Sequence, residues 1–438
     1  MAASTIPPRT LNLPVRRAKV ELVPTSRGLA AVDGWLFVAI TAICAFGLVM
    51  VYSASDVLGY QLTGNPSYFF ERQLVFMGMG AVAMLVLGRT DYHRLSRYAR
   101  PLGLVVVVLL LAVLVPHVGV KVNGSRRWFD VGPVQLQPSA LAALVLIVFM
   151  GRWLSDRGEL LKSWRTVRDY TVLLCVPLLL VLGEKDLGST IVLGSVGAAL
   201  LFLAGARLRH LLALGGLAGL AGWVAIAMEP YRLSRLTCIG QGSVENALNA
   251  CWQGTQALYG LGMGGLTGVG LGNSIQKYSW LPEAHTDFIF AIIGEELGLI
   301  GTVAVVLAFT FLGWRGVRAS LRAPDRYGAL LAGGITAWIC IQAFINVAAV
   351  TVLIPTTGIP LPFISYGGSA LIMNLAGIGI LCNVSAQGRR QGPGPARGFA
   401  DVPGKGASDR ADADSRGRDR GAPDPGPRGR RRVARLRP

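Results

Sequence analysis

The sequence predicts an all-α polytopic membrane protein with about ten transmembrane helices. Hydrophobic residues make up 52% of its 438 residues and charged residues only 15%, against about 25% charged residues in an ordinary soluble domain. Apolar runs of about 20 residues, the length that crosses a bilayer as a helix, recur along the chain. The segments between these runs alternate between strongly and weakly basic composition.

Ten apolar segments are the predicted spans. The residues before the first one lack the short apolar core and small-residue cleavage site of a signal peptide, so we expect the first span to be a retained helix. The spans lie near residues 33–53, 71–88, 101–119, 138–154, 170–183, 187–205, 211–228, 286–313, 327–350 and 369–386.

Basic residues cluster before the first span and after spans two, four, six and eight, whereas the alternate segments carry few. The positive-inside rule then places both termini in the cytoplasm. The net charge of +18 would suggest nucleic acid in a soluble protein. Because the basic residues mostly flank hydrophobic spans, topology and anionic lipid explain the charge here, and we expect no nucleic-acid partner.

Two segments fall outside the predicted transmembrane domain of residues 33–386. Residues 1–32 are predicted to be a basic cytoplasmic N-terminal segment. Residues 387–438 are rich in Arg, Gly, Pro and Asp and contain almost no large apolar side chains, which predicts a disordered basic cytoplasmic tail. Its last basic cluster could contact anionic lipid or a cytoplasmic partner, and a solvated tail is the alternative that we favour.

The longest extracytoplasmic loop runs from about residue 229 to 285, between helices seven and eight. Interspersed aromatic residues favour an ordered loop with segments that lie at the membrane surface. Cys238 and Cys251 both fall in this loop. A disulfide between them is chemically allowed outside the cytoplasm, and two free thiols are the alternative.

The stretch LPEAHTDFIFAIIGEELGLIG, residues 281–301, places four acidic residues at the start of span eight and inside it, where charge is costly. Asp287 directly precedes three large apolar residues, so its carboxylate should be partly desolvated, which suits a general base. Helix N-capping is the alternative. Glu283 would share a helix face with Asp287 if the helix begins early enough. For Glu295 and Glu296 we favour structural pairing with Arg or Lys from a neighbouring span.

Three other segments of the outer face carry unusual residues. Arg126 and Arg127 lie on the side that otherwise avoids basic residues, and they suit a substrate phosphate or carboxylate. Headgroup contact or an ion pair with Asp130 is the alternative. Asp186, in EKDLGST, could bind a cation or cap the next helix, and capping is the interpretation we favour. The prolines and glycines of residues 354–374 interrupt the helix, which is tolerated where backbone lines a wet cavity.

Two kinds of site are excluded by pattern. The glycine-rich segment GMGGLTGVGLG, residues 262–272, is not framed by a strand, a turn and a helix, so it is neither a dinucleotide site nor a P-loop. The 4 histidines are scattered and give no zinc-ligand spacing.

Taken together, the outer-face motifs resemble the SEDS family of peptidoglycan polymerases. The resemblance covers about residues 33–386, and it is closer to the cell-division (FtsW) branch than to the RodA branch. The matching motifs are NGSRRW (123–128), QPS (137–139), Glu184 with DLG (186–188), GLGNSIQK (270–277), LPEAHTDFIF (281–290), GEELG (294–298) and PLPFISYGGS (360–369).

This resemblance implies a ten-helix SEDS-type fold and an enzyme that links lipid II units into glycan strands on the outer face of the bacterial cytoplasmic membrane. Asp287 matches the family's catalytic aspartate and would deprotonate the 4-hydroxyl of the acceptor sugar. That hydroxyl attacks the anomeric carbon of the donor strand, and undecaprenyl pyrophosphate leaves. The substrate-binding residues are then expected to be Arg126, Arg127, Lys277, Glu283, His285, Ser365 and Gly367.

The departing pyrophosphate needs cationic help, for which Arg126, Arg127 and Lys277 are candidates. A divalent cation, Mg²⁺ or Mn²⁺, held by carboxylates could share that role. Asp186 and Glu184 are the candidates to support such a cation, and the sequence identifies no definite metal-ligand set.

The chain departs from the family pattern just after QPS. Family members usually carry Glu and, three residues later, Lys, whereas this chain has Ala140 and Ala143. The change removes polar groups from the expected catalytic cavity, so either activity is weakened or other residues compensate. Lys185 replaces the usual Pro and could supply one cation.

Our first hypothesis is a septal peptidoglycan glycosyltransferase that works with a class B penicillin-binding transpeptidase and other division proteins. One alternative is a flippase for lipid II or a related lipid-linked substrate. A carrier needs polar groups near the membrane midplane, whereas most charge here gathers at the outer face. The other alternative is a catalytically reduced scaffold, which Ala140 and Ala143 favour and the intact Asp287 motif disfavours.

Overall fold

The computed structural model describes residues 33–122, 125–132, 134–228 and 251–390. This part of the chain contains eleven α-helices, one short 3₁₀-helix (Gly158–Lys162) and three short β-strands. The helices are α1 (Gly34–Thr63), α2 (Tyr68–Arg89), α3 (Tyr92–Leu114), α4 (Pro138–Ser155), α5 (Trp164–Gly183), α6 (Leu187–Leu203), α7 (Leu208–Ala227), α8 (Trp252–Gly264), α9 (Ile289–Leu321), α10 (Arg326–Val350) and α11 (Gly368–Arg390).

Eight of these helices, α1 to α5 and α9 to α11, are long and apolar enough to cross a membrane. Helix α6 and the stretch Leu208–Val224 of α7 are apolar but shorter. Each of the ten predicted spans therefore coincides with an apolar helix, which confirms a multi-pass membrane protein, while ten crossings stay a prediction. The largest boundary difference is α1, which continues to Thr63 instead of ending near residue 53.

Helices α4, α10 and α11 form the centre of the bundle, since most of their residues are buried inside it. The outer helices α2, α3 and α5 have few buried residues and present several exposed apolar side chains, as expected for a surface that faces lipid tails. The core is therefore a packed set of interior helices surrounded by helices with one lipid-facing side.

A small antiparallel sheet covers one end of the bundle, in the segment between α3 and α4. Its strands are β1 (Val120–Val122), β2 (Ser125–Val131) and β3 (Val134–Leu136), in the order β1-β2-β3. Val120 lies opposite Trp128, and Phe129 lies opposite Leu136. The sequence analysis predicted no strands here, because these are too short for a clear alternating pattern. The sheet fixes where β2 presents its arginines.

Helix α9 is interrupted at Gly298, whose backbone angles (φ 66°, ψ −161°) are not helical. The glycine-rich segment after α8 fills the break. Val269 and Gly270 donate backbone hydrogen bonds of 3.0 Å each to the carbonyls of Glu295 and Glu296. A Cβ at Gly268 would lie only 2.1 Å from the Glu296 carbonyl oxygen, so only glycine fits there. Broken backbone at membrane depth is thus satisfied from within the protein.

The loop between α7 and α9 is ordered where the structure describes it. Helix α8 packs on α9, and the indole N–H of Trp252 donates a 2.9 Å hydrogen bond to the carbonyl of Trp280. Cys251 is disulfide-bonded, while Cys238, the predicted partner, lies outside the described residues. The predicted segments 1–32 and most of 387–438 also lie outside them, although α11 continues to Arg390.

Candidate active site

A cavity of about 340 Å³ opens at the end of the bundle that carries the sheet. Its walls come from β2, β3, the first turns of α4 and α6, the turns before α9, helix α10 and the proline-rich segment before α11. Four charged side chains and several polar ones line it. They are Arg127, Asp186, Glu283 and Asp287, with Gln135, Gln137, Ser139, Ser189, Thr286, Gln342 and Tyr366.

Asp287 lies at the junction between this cavity and the buried start of α9. It is partly buried, and the three residues that follow it are buried completely or nearly so. Its carboxylate oxygen Oδ2 lies 3.4 Å from the place where a Cβ on Gly358 would stand, so it faces the proline-rich segment. The N-cap position of α9 is Phe288 rather than Asp287. This is the partly desolvated setting that suits a general base.

Glu283 lines the same cavity from a more exposed position. Its carboxylate accepts a 2.9 Å hydrogen bond from the hydroxyl of Thr286. The condition for Glu283 and Asp287 to share a helix face is not met, because α9 begins only at Ile289 and residues 283–288 form turns. The turns, with Glu283 itself at φ 58°, nevertheless bring both acids to the cavity.

The two adjacent arginines of β2 have different positions. Arg127 lines the cavity, donates a 2.7 Å hydrogen bond to the carbonyl of Lys185, and lies 3.8 Å from the carboxylate of Asp186. Arg126 pairs across the sheet with Lys121 and does not line the cavity. Successive side chains of a strand point to opposite faces, which explains the difference. The structure thus brings one of the two predicted arginines to the site.

Asp186 caps α6, as the sequence interpretation favoured. Its carboxylate accepts hydrogen bonds from the backbone N–H of Ser189 (2.9 Å) and from the Ser189 hydroxyl (2.8 Å). The side-chain amide of Gln137 lies 3.4 Å away and joins the same group. Asp186 therefore caps α6 and also lines the cavity.

Glu184 is buried beside this group, with 1% of its surface exposed. Within the described residues, neither of its carboxylate oxygens has a hydrogen-bond partner. Burial and, to a smaller extent, the charge of Asp186 raise its pKa to about 8, against the opposing effect of Arg127. Glu184 is therefore mostly protonated at neutral pH.

The described part of the chain contains no group of three or more His, Cys, Asp or Glu side chains that could hold a metal ion. Of the two carboxylates predicted to support a cation, Asp186 accepts the capping hydrogen bonds of α6 and lies beside Arg127. Glu184 is buried next to it, with no hydrogen-bond partner among the described residues. The proposed divalent cation stays a prediction, and no catalytic step is derived through it.

Three other predicted substrate-binding residues lie away from the cavity. Lys277 is buried, and its ammonium group lies 3.0 Å from Asp56 and 3.3 Å from the carbonyl of Ser53. Its charge is thus satisfied in an ion pair with α1 and is not offered to a pyrophosphate.

His285 and Ser365 are also buried, but they support the wall behind the site. The His285 ring packs 4.6 Å from that of Phe69 and 5.6 Å from that of Tyr366. Burial lowers the pKa of His285. The Ser365 hydroxyl accepts a 2.8 Å hydrogen bond from the N–H of Leu361. Gly367, the other predicted residue of this segment, does line the cavity. Tyr366, which the sequence analysis did not single out, lines it as well.

Glu295 and Glu296 are fully buried in α9, and their partners differ from the predicted Arg or Lys. Glu295 accepts hydrogen bonds from the Ser274 hydroxyl and from the backbone N–H of Ile275 (2.8 Å). Both oxygens of Glu296 lie 2.7 Å from the hydroxyl of Ser53. These acids therefore fasten the segment after α8, and helix α1, to the broken helix.

The two alanines that replace the usual Glu and Lys both line the cavity. Ala140 and Ala143 lie in the first turns of α4, where they leave the wall apolar. Lys185, the candidate replacement cation, is exposed and does not line the cavity. Among the described residues that line the cavity, Arg127 is the only basic one.

The sequence analysis missed two amide side chains of α10. Gln342 lines the cavity and donates a 3.1 Å hydrogen bond to the carbonyl of Pro360. Asn346, one turn further along, donates to the carbonyls of Asp287 (2.7 Å) and Ile359 (2.8 Å). The available signal was two amides four residues apart in an otherwise apolar span, a pattern that marks buried polar function.

Comparisons with known proteins agree with this architecture. A family model of cell cycle proteins, which groups FtsW, RodA and SpoVE, matches residues 34–390. Stage V sporulation protein E of Bacillus subtilis is 42% identical over 359 residues, which cover 81% of this chain and 97% of that protein. A probable peptidoglycan glycosyltransferase FtsW of Geobacter metallireducens is 41% identical over 353 residues, covering 80% of this chain and 94% of that protein.

Solved structures are similar as well. One describes the structural coordination of polymerization and crosslinking by a peptidoglycan synthase complex. It matches with a TM-score of 0.67 at 28% identity, covering 82% of this chain and 98% of that one. The crystal structure of the rod shape determining protein RodA of Thermus thermophilus matches with a TM-score of 0.60 at 28% identity, covering 81% and 97% of the two chains.

Proposed function

This chain belongs to the SEDS family of FtsW, RodA and SpoVE cell cycle proteins, and we propose that it is a peptidoglycan glycosyltransferase that polymerises lipid II. Relatives about 40% identical to it are named as probable peptidoglycan glycosyltransferases. The observation that carries the proposal is the cavity in which Asp287 and Arg127 face a common space at one end of the bundle.

In the proposed reaction, Asp287 is the general base. Its carboxylate takes the proton from the 4-hydroxyl of the acceptor sugar, and the resulting oxygen nucleophile attacks the anomeric carbon of the donor strand. The bond from that carbon to undecaprenyl pyrophosphate breaks, and the pyrophosphate leaves with the bonding electrons. The position of Asp287 supports this role, because the lipid of each substrate stays in the bilayer while the sugars lie at its surface.

Arg127 is the side chain best placed to stabilise the departing pyrophosphate. Of the predicted cations, it alone lines the cavity in the described part of the chain. A positive charge preorganised near a developing negative charge lowers the barrier without reorganisation. The ion pair with Asp186 and the hydrogen bond to Lys185 hold the guanidinium in place before the substrate arrives.

We also propose that the protein acts in septal synthesis with a class B penicillin-binding transpeptidase and other division proteins. The cell-division branch is favoured by the relatives named FtsW. A partner that crosslinks strands is supported by the related synthase complex, whose description joins polymerization to crosslinking. Both termini would be cytoplasmic, as the distribution of basic residues predicts.

A catalytically reduced division scaffold is the second candidate, and one observation favours it. Ala140 and Ala143 leave the cavity wall without the acid and the base that the family usually has there. A flippase receives less support. A carrier would need acidic side chains within the membrane that can bind its substrate. In this chain the carboxylates of Glu295 and Glu296 instead accept internal hydrogen bonds.

A polymerisation assay separates these functions. Purified protein and its cognate transpeptidase would be incubated with labelled lipid II, and wild type would be compared with D287A and with the double variant A140E/A143K. Glycan strands from wild type but not from D287A are expected.

If wild type makes no glycan strands and A140E/A143K does make them, the natural protein is a scaffold or lacks an activator in the assay. Silence of all three proteins, with intact lipid II and partner, would contradict polymerisation and make lipid II flipping the next assay.

A further inference from the structure

We propose that Asn346 is a positioning residue that fixes the Asp287 peptide against the proline-rich segment and so sets where the Asp287 carboxylate points. The inference rests on the proposed function, because it assigns Asn346 a role through the general base. Asn346 lies in α10 behind the cavity wall, with 1% of its surface exposed, and it does not line the cavity.

The side-chain amide of Asn346 bridges two separate segments. Its Nδ2 group lies 2.7 Å from the carbonyl oxygen of Asp287 and 2.8 Å from that of Ile359. An amide NH₂ has two N–H donors, and both are used here. Because both acceptors are carbonyls, only the NH₂ end of the amide can face them, so the orientation of the side chain is fixed by its partners.

No other residue type of this size makes the same bridge. Leucine has no donor, serine has one, and aspartate would direct oxygen atoms at two carbonyl oxygens. Without the bridge, the partly buried carbonyl of Asp287 and the buried carbonyl of Ile359 each lose a donor, which favours a shift of both segments toward other donors. The first of these carbonyls belongs to the proposed base itself, so a shift there moves the Asp287 backbone.

The second segment also contacts the site. Gly358 faces the Asp287 carboxylate, and Gln342 holds the carbonyl of Pro360 one turn earlier on α10. Next to them, a Cβ on Gly188 of α6 would lie 3.0 Å from the Ile359 side chain. The proline-rich segment is therefore packed closely between Asp287 and α6. The hydrogen bonds of Asn346 connect this segment to the backbone of Asp287.

Small errors in the position of a base are expensive, since a displacement of about 1 Å can cost about 10²-fold in rate. We therefore expect N346L to lower kcat for lipid II polymerisation by about 10-fold to 100-fold. The KM for lipid II should stay within about twofold of wild type, because Asn346 does not touch the cavity. N346S keeps one donor and should lose less, about 3-fold to 10-fold in kcat.

Asn383 offers a matched control at the opposite end of the bundle. It is also a buried asparagine in a core helix, with 7% of its surface exposed. Its amide donates a 2.8 Å hydrogen bond to the carbonyl of Gly88, and its oxygen accepts from the N–H of Tyr92. N383L removes a comparable bridge between helices without approaching Asp287.

The experiment measures kcat, KM and the melting temperature for wild type, D287A, N346L, N346S and N383L, each as full-length protein with its transpeptidase. The inference predicts a fall in kcat for both Asn346 variants and wild-type kcat for N383L at a similar loss of melting temperature.

Wild-type kcat in a folded N346L, or an equal fall of kcat in N383L, would overturn the inference. If N346L does not fold, kcat of N346S decides, and wild-type kcat there overturns the inference. Full activity of D287A would instead contradict the proposed function.

Discussion

Two pairs of acidic residues within one short stretch of the chain have opposite environments. Glu283 and Asp287 line the cavity, at or near its opening to solvent. Glu295 and Glu296 lie about two turns further along, with 0% of their surface exposed. Serine hydroxyls and a backbone N–H donate to the carboxylates of this second pair. Acidic side chains thus border a cavity in one place and hold helices together in the other.

The difference shows what distinguishes a reactive acid from a structural one in this membrane protein. A buried carboxylate that already accepts several internal hydrogen bonds is stabilised in place and has no access to a substrate proton. A carboxylate at the boundary between apolar helix and cavity can exchange a proton with a bound hydroxyl. The four predictions that follow test this contrast, beginning with the largest effect.

Replacing Asp287 by asparagine should remove catalysis while leaving the fold intact. D287N keeps the shape and the backbone carbonyl that Asn346 binds, but it removes the base, which contributes about 10²-fold to 10⁴-fold to a rate. Glycan-strand synthesis from labelled lipid II should fall by about 10³-fold, with no loss of melting temperature. If D287N polymerised lipid II at the wild-type rate, Asp287 would not be a reactive acid, and the proposed difference between the cavity acids and the buried acids would be wrong.

Replacing Glu296 by leucine should show the opposite phenotype. E296L leaves the hydroxyl of Ser53 without the carboxylate that accepts its hydrogen bond, and an orphaned buried polar group costs about 1–3 kcal/mol. The melting temperature in detergent should fall, while turnover per folded molecule stays within several-fold of wild type. A folded, thermally unchanged E296L that has lost polymerisation would place Glu296 among the reactive acids.

Glu184 is a third kind of acid, buried like Glu296 but without a hydrogen-bond partner among the described residues. Its folded-state pKa of about 8 exceeds its ordinary value of 4.5, so the native state binds more protons than the unfolded state between these values. Stability should therefore fall as pH rises through this window. E184Q has no such loss, and its gain in melting temperature should be larger at about pH 8.5 than at about pH 5, by on the order of 3 °C.

A gain from E184Q that is the same at both pH values would show that Glu184 does not titrate in this window. A matched control is E296Q, whose carboxylate is hydrogen-bonded in the folded protein. It should destabilise the protein, whereas E184Q should stabilise it. The two variants together separate the effect of burial from the effect of satisfied hydrogen bonds.

The smallest effect is expected at Glu283. Its carboxylate is largely exposed, so water and salt screen its charge. E283Q should raise the KM for lipid II by about twofold to threefold and leave kcat unchanged. A fall in kcat comparable to that of D287N would show that the two acids of the cavity act together.

Much of this architecture could be predicted from the sequence, because it depends on local patterns. Hydrophobic runs located the apolar helices, and the apolar residues after Asp287 indicated a carboxylate at the start of α9. The contacts of Lys277 could not be predicted in this way. Its partner Asp56 lies 221 residues away, so only the folded chain shows that its charge is already paired.

The same limitation applies to the glycine-rich segment and to Asn346. The sequence excluded a nucleotide site for that segment, but its hydrogen bonds to the break in α9 depend on two segments meeting in space. Asn346 likewise binds carbonyls of two distant segments. The small sheet was missed because its strands are too short for a clear alternating pattern.

The most direct test of the central claim is one polymerisation assay in which wild type, D287N and E296Q are compared at equal concentrations of folded protein, each with its transpeptidase and labelled lipid II. The account predicts glycan strands from wild type and from E296Q, and none from D287N. Strands of equal amount from D287N and wild type would contradict it, because the cavity acid would then have no part in the chemistry.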